Sequence, residues 1–108
     1  MDPPASGIDH LLVRIPDLES ANLGSALDQA LPFLASALAR PEGRVLVHCE
    51  AGQSRSGSVV IAALMDGVVG EPPRGYDDAL EFVRAQRPFV RPNRGFAACL
   101  CQRARGEY

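Results

Sequence analysis

Lysine is absent from this chain: all eleven of its basic residues are arginine. That bias is read as the base composition of the gene and carries no function. An excess of charge of one sign is missing too, because eleven arginines face thirteen acidic residues for a formal net charge of -2. A general attraction to nucleic acid or to a membrane surface is therefore not expected. No apolar run approaches the roughly 20 residues needed to span a bilayer. The opening MDPPASGIDHLL lacks the basic segment and long apolar core of a secretory signal. Cysteine is scarce, and the three present, Cys49, Cys99 and Cys101, form no even disulfide framework. These absences together point to a reducing intracellular compartment, cytoplasmic with the nucleus also open, where Cys49 stays a thiol.

What is present is enough for one folded unit. With 108 residues, 46% apolar and 22% charged, the chain reads as a single globular domain over 1–108. Internal repeats, linkers and low-complexity tracts are not found. IDHLLVRI (8–15) is rich in branched residues and stops at Pro16, which predicts a strand. Leu23, Leu27, Leu31, Leu34 and Leu38 then form a one-face stripe of helical period, with Pro32 expected to kink or split it. A turn at 41–43 leads into a second strand, RVLVHC (44–49). From Ser54 or Arg55 to Met65 the pattern predicts a helix apolar nearly all round, hence buried. YDDALEFVRAQR (76–87) predicts a helix with acids in its first turn, arginines in its last and Pro88 ending it. Asn93 is placed as the N-cap of a final helix to about Arg103. The 28 residues between the two strands suit a right-handed crossover, so both strands deliver their C-terminal ends to one edge. Asp17 and Cys49 leave the strands at that edge.

The loop HCEAGQSRSG (48–57) between strand and buried helix carries the chemistry. Curled around an oxyanion, its amides from Glu50 to Arg55 face inward, and the following helix adds the positive end of its dipole. The same field stabilises a thiolate, bringing Cys49 from about 8.5 toward the roughly 3.5–7.5 range known for such settings. Arg55 offers a planar fork to two phosphoryl oxygens. Gly52 allows close backbone approach, and the Ser56 hydroxyl can donate to the sulfur. Glu50, Ala51, Gly52, Gln53, Ser54 and Arg55 are thus the anion-binding residues.

His-Cys-x-x-Gly-x-x-Arg-Ser resembles the signature loop of the cysteine-dependent protein tyrosine phosphatases, and VLVHCEAGQSRSGSVVIAALM looks like their dual-specificity branch. Downstream, YDDALEFVRAQRPFVRPNRGF is similar to that branch's closing helices. Upstream, IPD ends at Asp17, 32 residues before Cys49, a separation like that of the family's general acid. The resemblance runs from about residue 8 to 102. It implies an α/β fold, a phosphatase-like parallel sheet core flanked by helices, here truncated at the N-terminus, with an incomplete sheet edge through which the chain self-associates. It also implies hydrolysis of phosphotyrosine and phosphoserine or phosphothreonine through a phosphocysteine. Cys49 is the nucleophile, Asp17 the acid and then the base, Arg55 and the amides the charge stabilisers, and Ser56 the aid to thiolate departure. His48 and Asn93 support the loop. No metal and no cofactor take part, and the partner is a phosphorylated protein, since the loop adds no positive charge for an inositol lipid or an RNA end.

Plainer readings stand beside these. A cysteine at a strand end is ordinarily a small buried apolar residue, and an aspartate after proline is ordinarily a turn former, with Asp9 and Glu19 as rival acids. His48, Gly52 and Arg55 around Cys49 favour the nucleophile, because an arginine beginning a helix opposes the dipole unless an anion is there. Cys99 and Cys101 are read as packing and surface residues, and Arg87, Arg91 and Arg94 as solvated helix ends. Two other functions compete: a catalytically impaired phosphoresidue-binding module, and sulfur transfer by a rhodanese-like cysteine loop, which the His-Cys start and Arg-Ser end disfavour.

Overall fold

The computed structural model describes residues 11–41, 43, 45–49, 54–69 and 73–104. Four helices carry its architecture: α1 (Leu23–Leu38), α2 (Arg55–Met65), α3 (Tyr76–Gln86) and α4 (Arg94–Ala104). Helix α2 packs against the other three, as its composition requires. A helix apolar on every side has no face to give to water and must be surrounded. Ser56, Gly57 and Ser58 and the whole run from Ile61 to Met65 are buried.

Helix α1 starts at Asn22, whose side chain accepts the Ser25 N–H at 2.9 Å. It presents Leu23, Ala26, Leu27, Ala30, Leu31 and Leu34 to the core. Pro32 does not split the helix. Pro32 and Asp28, the residue whose carbonyl loses its donor, both lie on the exposed face, so water can satisfy the freed oxygen. Helix α3 adds Ala79 and Val83, and α4 adds Phe96 and Leu100, both of which are fully buried. Tyr76 packs at the edge of this cluster. Burial foremost, with Cys101 and Asp77 nearby, raises its phenol above the usual range. At the far end of α2, Asp66 takes a two-pronged contact from Arg103 of α4, 2.7 Å at its shorter bond.

The parallel sheet expected from the sequence is observed only as far as its exposure pattern. Among the described residues there is no strand, and segments 11–15 and 45–49 exchange no ladder hydrogen bonds. The exposure pattern nevertheless has a two-residue period. Val13, Ile15, Val45, Val47 and Cys49 are half-buried, while Leu12, Arg14, Leu46 and His48 are exposed. That is the register of strands with one face on the helical core. The opposite face is bare, with Leu46 82% and Leu12 52% exposed. Parallel pairing is the weaker ladder and is found where both faces are covered. Two short segments with one open face fall short of that condition.

Two glycines set how closely the remaining pieces approach. A Cβ on Gly57 of α2 would press into the buried Val90 side chain, and one on Gly95 of α4 would overlap the Glu19 carbonyl. Gly95 thereby lets α4 lie directly on the backbone just after Asp17. Helix propensity alone makes Gly95→Ala stabilising by about 0.5–1 kcal/mol, whereas overlap with backbone makes it destabilising by about 1–3 kcal/mol. The second sign is expected, read as a lowered melting temperature and urea midpoint. A stabilised variant would mean that the close approach does not exist.

Candidate active site

The sequence elements of the site meet at the N-terminal ends of α2 and α4. Ser54 is the N-cap of α2 and uses no side-chain cap bond. Its hydroxyl instead accepts the backbone N–H of Asn93 at 3.0 Å. Asn93 caps α4, its Oδ1 accepting the Phe96 N–H at 2.9 Å and its carbonyl the Ala97 N–H at 2.8 Å. The two caps are therefore joined directly. The remaining group of Asn93, Nδ2, donates to Asp17 Oδ1 at 2.9 Å. One asparagine holds Asp17, the N-cap of α2 and the start of α4.

Cys49 lies at the other side of the same junction. Its Sγ accepts the Ser56 backbone N–H at 3.3 Å and lies 3.2 Å from Ser56 Oγ. A backbone N–H in the first turn of a helix is an intrinsically unpaired donor, and here it is aimed at sulfur, where it favours the anionic form. Arg55, the first residue of α2, sends Nη1 to the Ile15 carbonyl at 3.4 Å. Its Nε is buried and has no hydrogen-bond partner among the described residues. A buried donor left without an acceptor costs about 1–3 kcal/mol, and an arriving oxyanion removes that penalty. Leu12, Val13, Arg14, Ile15 and Pro16 line an open groove of about 420 Å³ with this arginine.

Of the residues singled out from the sequence, the structure brings together Cys49, Arg55, Ser56, Ser54, Asn93 and Asp17. Glu50, Ala51, Gly52 and Gln53 lie outside the described residues. His48 is exposed and makes no hydrogen bond among the described residues, so the supporting contact expected of it is not observed there. Among the described residues, no group of three or more His, Cys, Asp or Glu side chains could hold a metal ion. Two participants went unnoticed in the sequence. The Ile15 carbonyl, which anchors Arg55, has no side-chain signal at all. Gly95 did have one, as the glycine near the end of the quoted YDDALEFVRAQRPFVRPNRGF.

The arrangement sets a thiol, a guanidinium with an open donor, a hydroxyl at the sulfur and a carboxyl held through Oδ1 around one junction. That set suits displacement at an anionic phosphorus centre.

Comparison with known proteins gives the same family. The family described as "Dual specificity phosphatase, catalytic domain" matches residues 2–105. The dual specificity protein phosphatase MPK-4 of Drosophila melanogaster is 38% identical over 96 residues, 89% of this chain and 24% of the relative. Human dual specificity protein phosphatase 22 is 37% identical over 94 residues, 87% of this chain and 48% of the relative. This chain thus spans half or less of the length of these two relatives. Among solved structures, the human tyrosine phosphatase-like serine/threonine/tyrosine-interacting protein superposes with a TM-score of 0.80 at 30% identity. The superposition covers 95% of this chain and 66% of that one.

The open Arg55 donor gives a direct test. Inorganic phosphate at roughly 100 times its Kd stabilises a protein by about 2.7 kcal/mol, which for a domain of this size raises the melting temperature by roughly 10 °C or more. The wild-type chain should show this rise and Arg55→Ala should show none. An equal rise in both proteins would place the anion elsewhere.

Proposed function

Because the chain belongs to the dual specificity phosphatase catalytic-domain family, we propose that it is a protein phosphatase acting on phosphotyrosine and on phosphoserine or phosphothreonine through a phosphocysteine at Cys49. The observation that carries this reading is the pairing of two features at one helix start. Cys49 Sγ receives the Ser56 N–H, and the adjacent Arg55 keeps a buried Nε without an acceptor. A nucleophile and an unfilled oxyanion donor side by side are what phosphoryl transfer to sulfur needs.

In the first step the Cys49 thiolate attacks phosphorus, an S–P bond forms and the P–O ester bond breaks. Asp17 gives its proton from Oδ2 to the departing side-chain oxygen, which leaves as the neutral alcohol or phenol. Arg55 and the surrounding N–H groups hold the charge on the equatorial oxygens through the step. In the second step Asp17, now a carboxylate, takes a proton from water as the water oxygen attacks phosphorus. The S–P bond breaks, and the Ser56 hydroxyl beside the sulfur donates to the thiolate as it leaves. Inorganic phosphate is released and both groups return to their starting protonation. A reducing compartment, cytoplasmic or nuclear, is the setting in which that sulfur stays available.

A second reading has one observation in its favour. The solved neighbour is a tyrosine phosphatase-like, interacting protein by name, which fits a module that binds phosphoresidues without turning them over. The chain's own Cys49, Arg55, Ser56 and Asp17 favour catalysis, since binding alone has no use for a nucleophile or an acid.

Rapid quench with p-nitrophenyl phosphate should trap phosphate on Cys49, located by mass spectrometry. Cys49→Ser should abolish turnover, and Asp17→Asn should lower kcat by about 10²–10⁴-fold. Tight phosphopeptide binding by folded wild-type protein with no adduct and no turnover would establish the binding module instead.

A further inference from the structure

Ser58 lies in the first turn of α2 and is fully buried, 0% exposed. Its hydroxyl reaches back one turn and donates to the Ser54 carbonyl at 2.5 Å. The same carbonyl already accepts the Ser58 backbone N–H at 2.9 Å, which is all that the helix asks of it. The hydroxyl is therefore a second donor on a satisfied oxygen. Helix formation gives no reason for it, since alanine is the better helix former and buries no polar group. The reason lies across the peptide unit. The Ser54 carbonyl and the Arg55 N–H belong to one planar trans amide and point in opposite directions. With the carbonyl held along the helix by two donors, the Arg55 N–H points out of its N-terminal end. It has no acceptor among the described residues. The next amide, Ser56 N–H, is on the Cys49 sulfur at 3.3 Å. An oxygen of a phosphate at that sulfur therefore comes within reach of the Arg55 N–H.

We propose that Ser58 is a positioning residue for phosphate, its buried hydroxyl aiming the Arg55 main-chain N–H at a phosphoryl oxygen and strengthening it as a donor. This deepens the phosphatase reading and rests on it for the presence of a phosphate at Cys49. Two bonds on the carbonyl restrain the 54–55 peptide plane, so the donor is in place before the anion arrives and needs no reorganisation. They also draw electron density toward the oxygen, which makes the N–H at the other end of the amide a better donor. Such cooperative gains are about 10–30% per bond. Ser58 itself, enclosed in the core, touches no ligand and acts only through the amide.

The test titrates inorganic phosphate into the isotopically labelled full chain and follows the Arg55 amide by NMR. In wild-type protein the Arg55 amide proton should move downfield as phosphate binds. Ser58→Ala should show a smaller movement and a phosphate Kd raised by about two- to fivefold. Its kcat/KM for p-nitrophenyl phosphate should fall by about three- to tenfold, a fraction of the roughly 10²–10³-fold lost with a whole oxyanion donor. Its melting temperature should stay near that of the wild type, because the helix propensity of alanine offsets the lost hydrogen bond. Ser58→Thr and Ser58→Val differ from each other by a hydroxyl in place of a methyl, and threonine in a helix can make the same backward bond. Threonine should restore the amide movement and the affinity, and valine should not. An unchanged affinity and amide movement in Ser58→Ala, or rescue by valine as full as by threonine, would overturn the proposal. A wild-type Arg55 amide that ignores phosphate while p-nitrophenyl phosphate is hydrolysed would overturn it and leave the phosphatase reading intact. An amide that responds in protein without turnover would defeat the phosphatase reading and leave the positioning role standing.

Discussion

Asn93 spends every hydrogen-bonding group it has on one junction. Its carbonyl and Oδ1 begin α4, its N–H reaches Ser54 at the start of α2, and its Nδ2 reaches Asp17. Arg55 closes the circuit from the other side by donating to the Ile15 carbonyl, two residues before Asp17. Asp17, contributed by a segment far from Cys49 in sequence, is thereby tied twice to the helix whose first turn holds the sulfur. In the phosphatase reading these ties matter because proton transfer requires hydrogen-bond reach from the carboxyl to the departing oxygen.

The junction also concentrates positive charge. Helices α2 and α4 both begin with arginine and neither has an acid in its first turn. By helix electrostatics alone this is the wrong sign at each N-terminus. The conflict resolves if the missing negative charge arrives with a ligand. For Arg55 that ligand completes a buried donor. A departure from local preference at two joined helix ends is the kind of inconsistency expected where stability is given up for function.

Much of this was legible in the sequence, and the parts that were not have identifiable causes. The four helices follow from period, capping and proline position, and Asn93 sits where an N-cap residue is expected. Cys49, Arg55 and Ser56 were singled out by residue type and spacing within one loop and Asp17 by the family resemblance, and the structure brings the four to one junction. The sheet was read from branched residues in 8–15 and 44–49. That composition reports a preference for pleated, half-buried surroundings and not the presence of a partner, and among the described residues no ladder forms. The continuity of α1 through Pro32 depended on that turn facing water, which the sequence shows only once the buried stripe is fixed. The anchoring of Arg55 on a backbone carbonyl leaves no trace in residue identity.

The account turns on whether Asn93 positions Asp17 or merely caps a helix, and Asn93→Ser separates the two. Serine is as good an N-cap as asparagine but has no amide to give Asp17. The decisive measurement is the dependence of kcat/KM on leaving-group pKa across a series of aryl phosphates. With the acid held in place the dependence is shallow, since the leaving oxygen is protonated as it departs. Asn93→Ser should steepen it toward that of Asp17→Asn while the melting temperature stays near that of the wild type. A variant that keeps the shallow dependence would show that the acid needs no such tie.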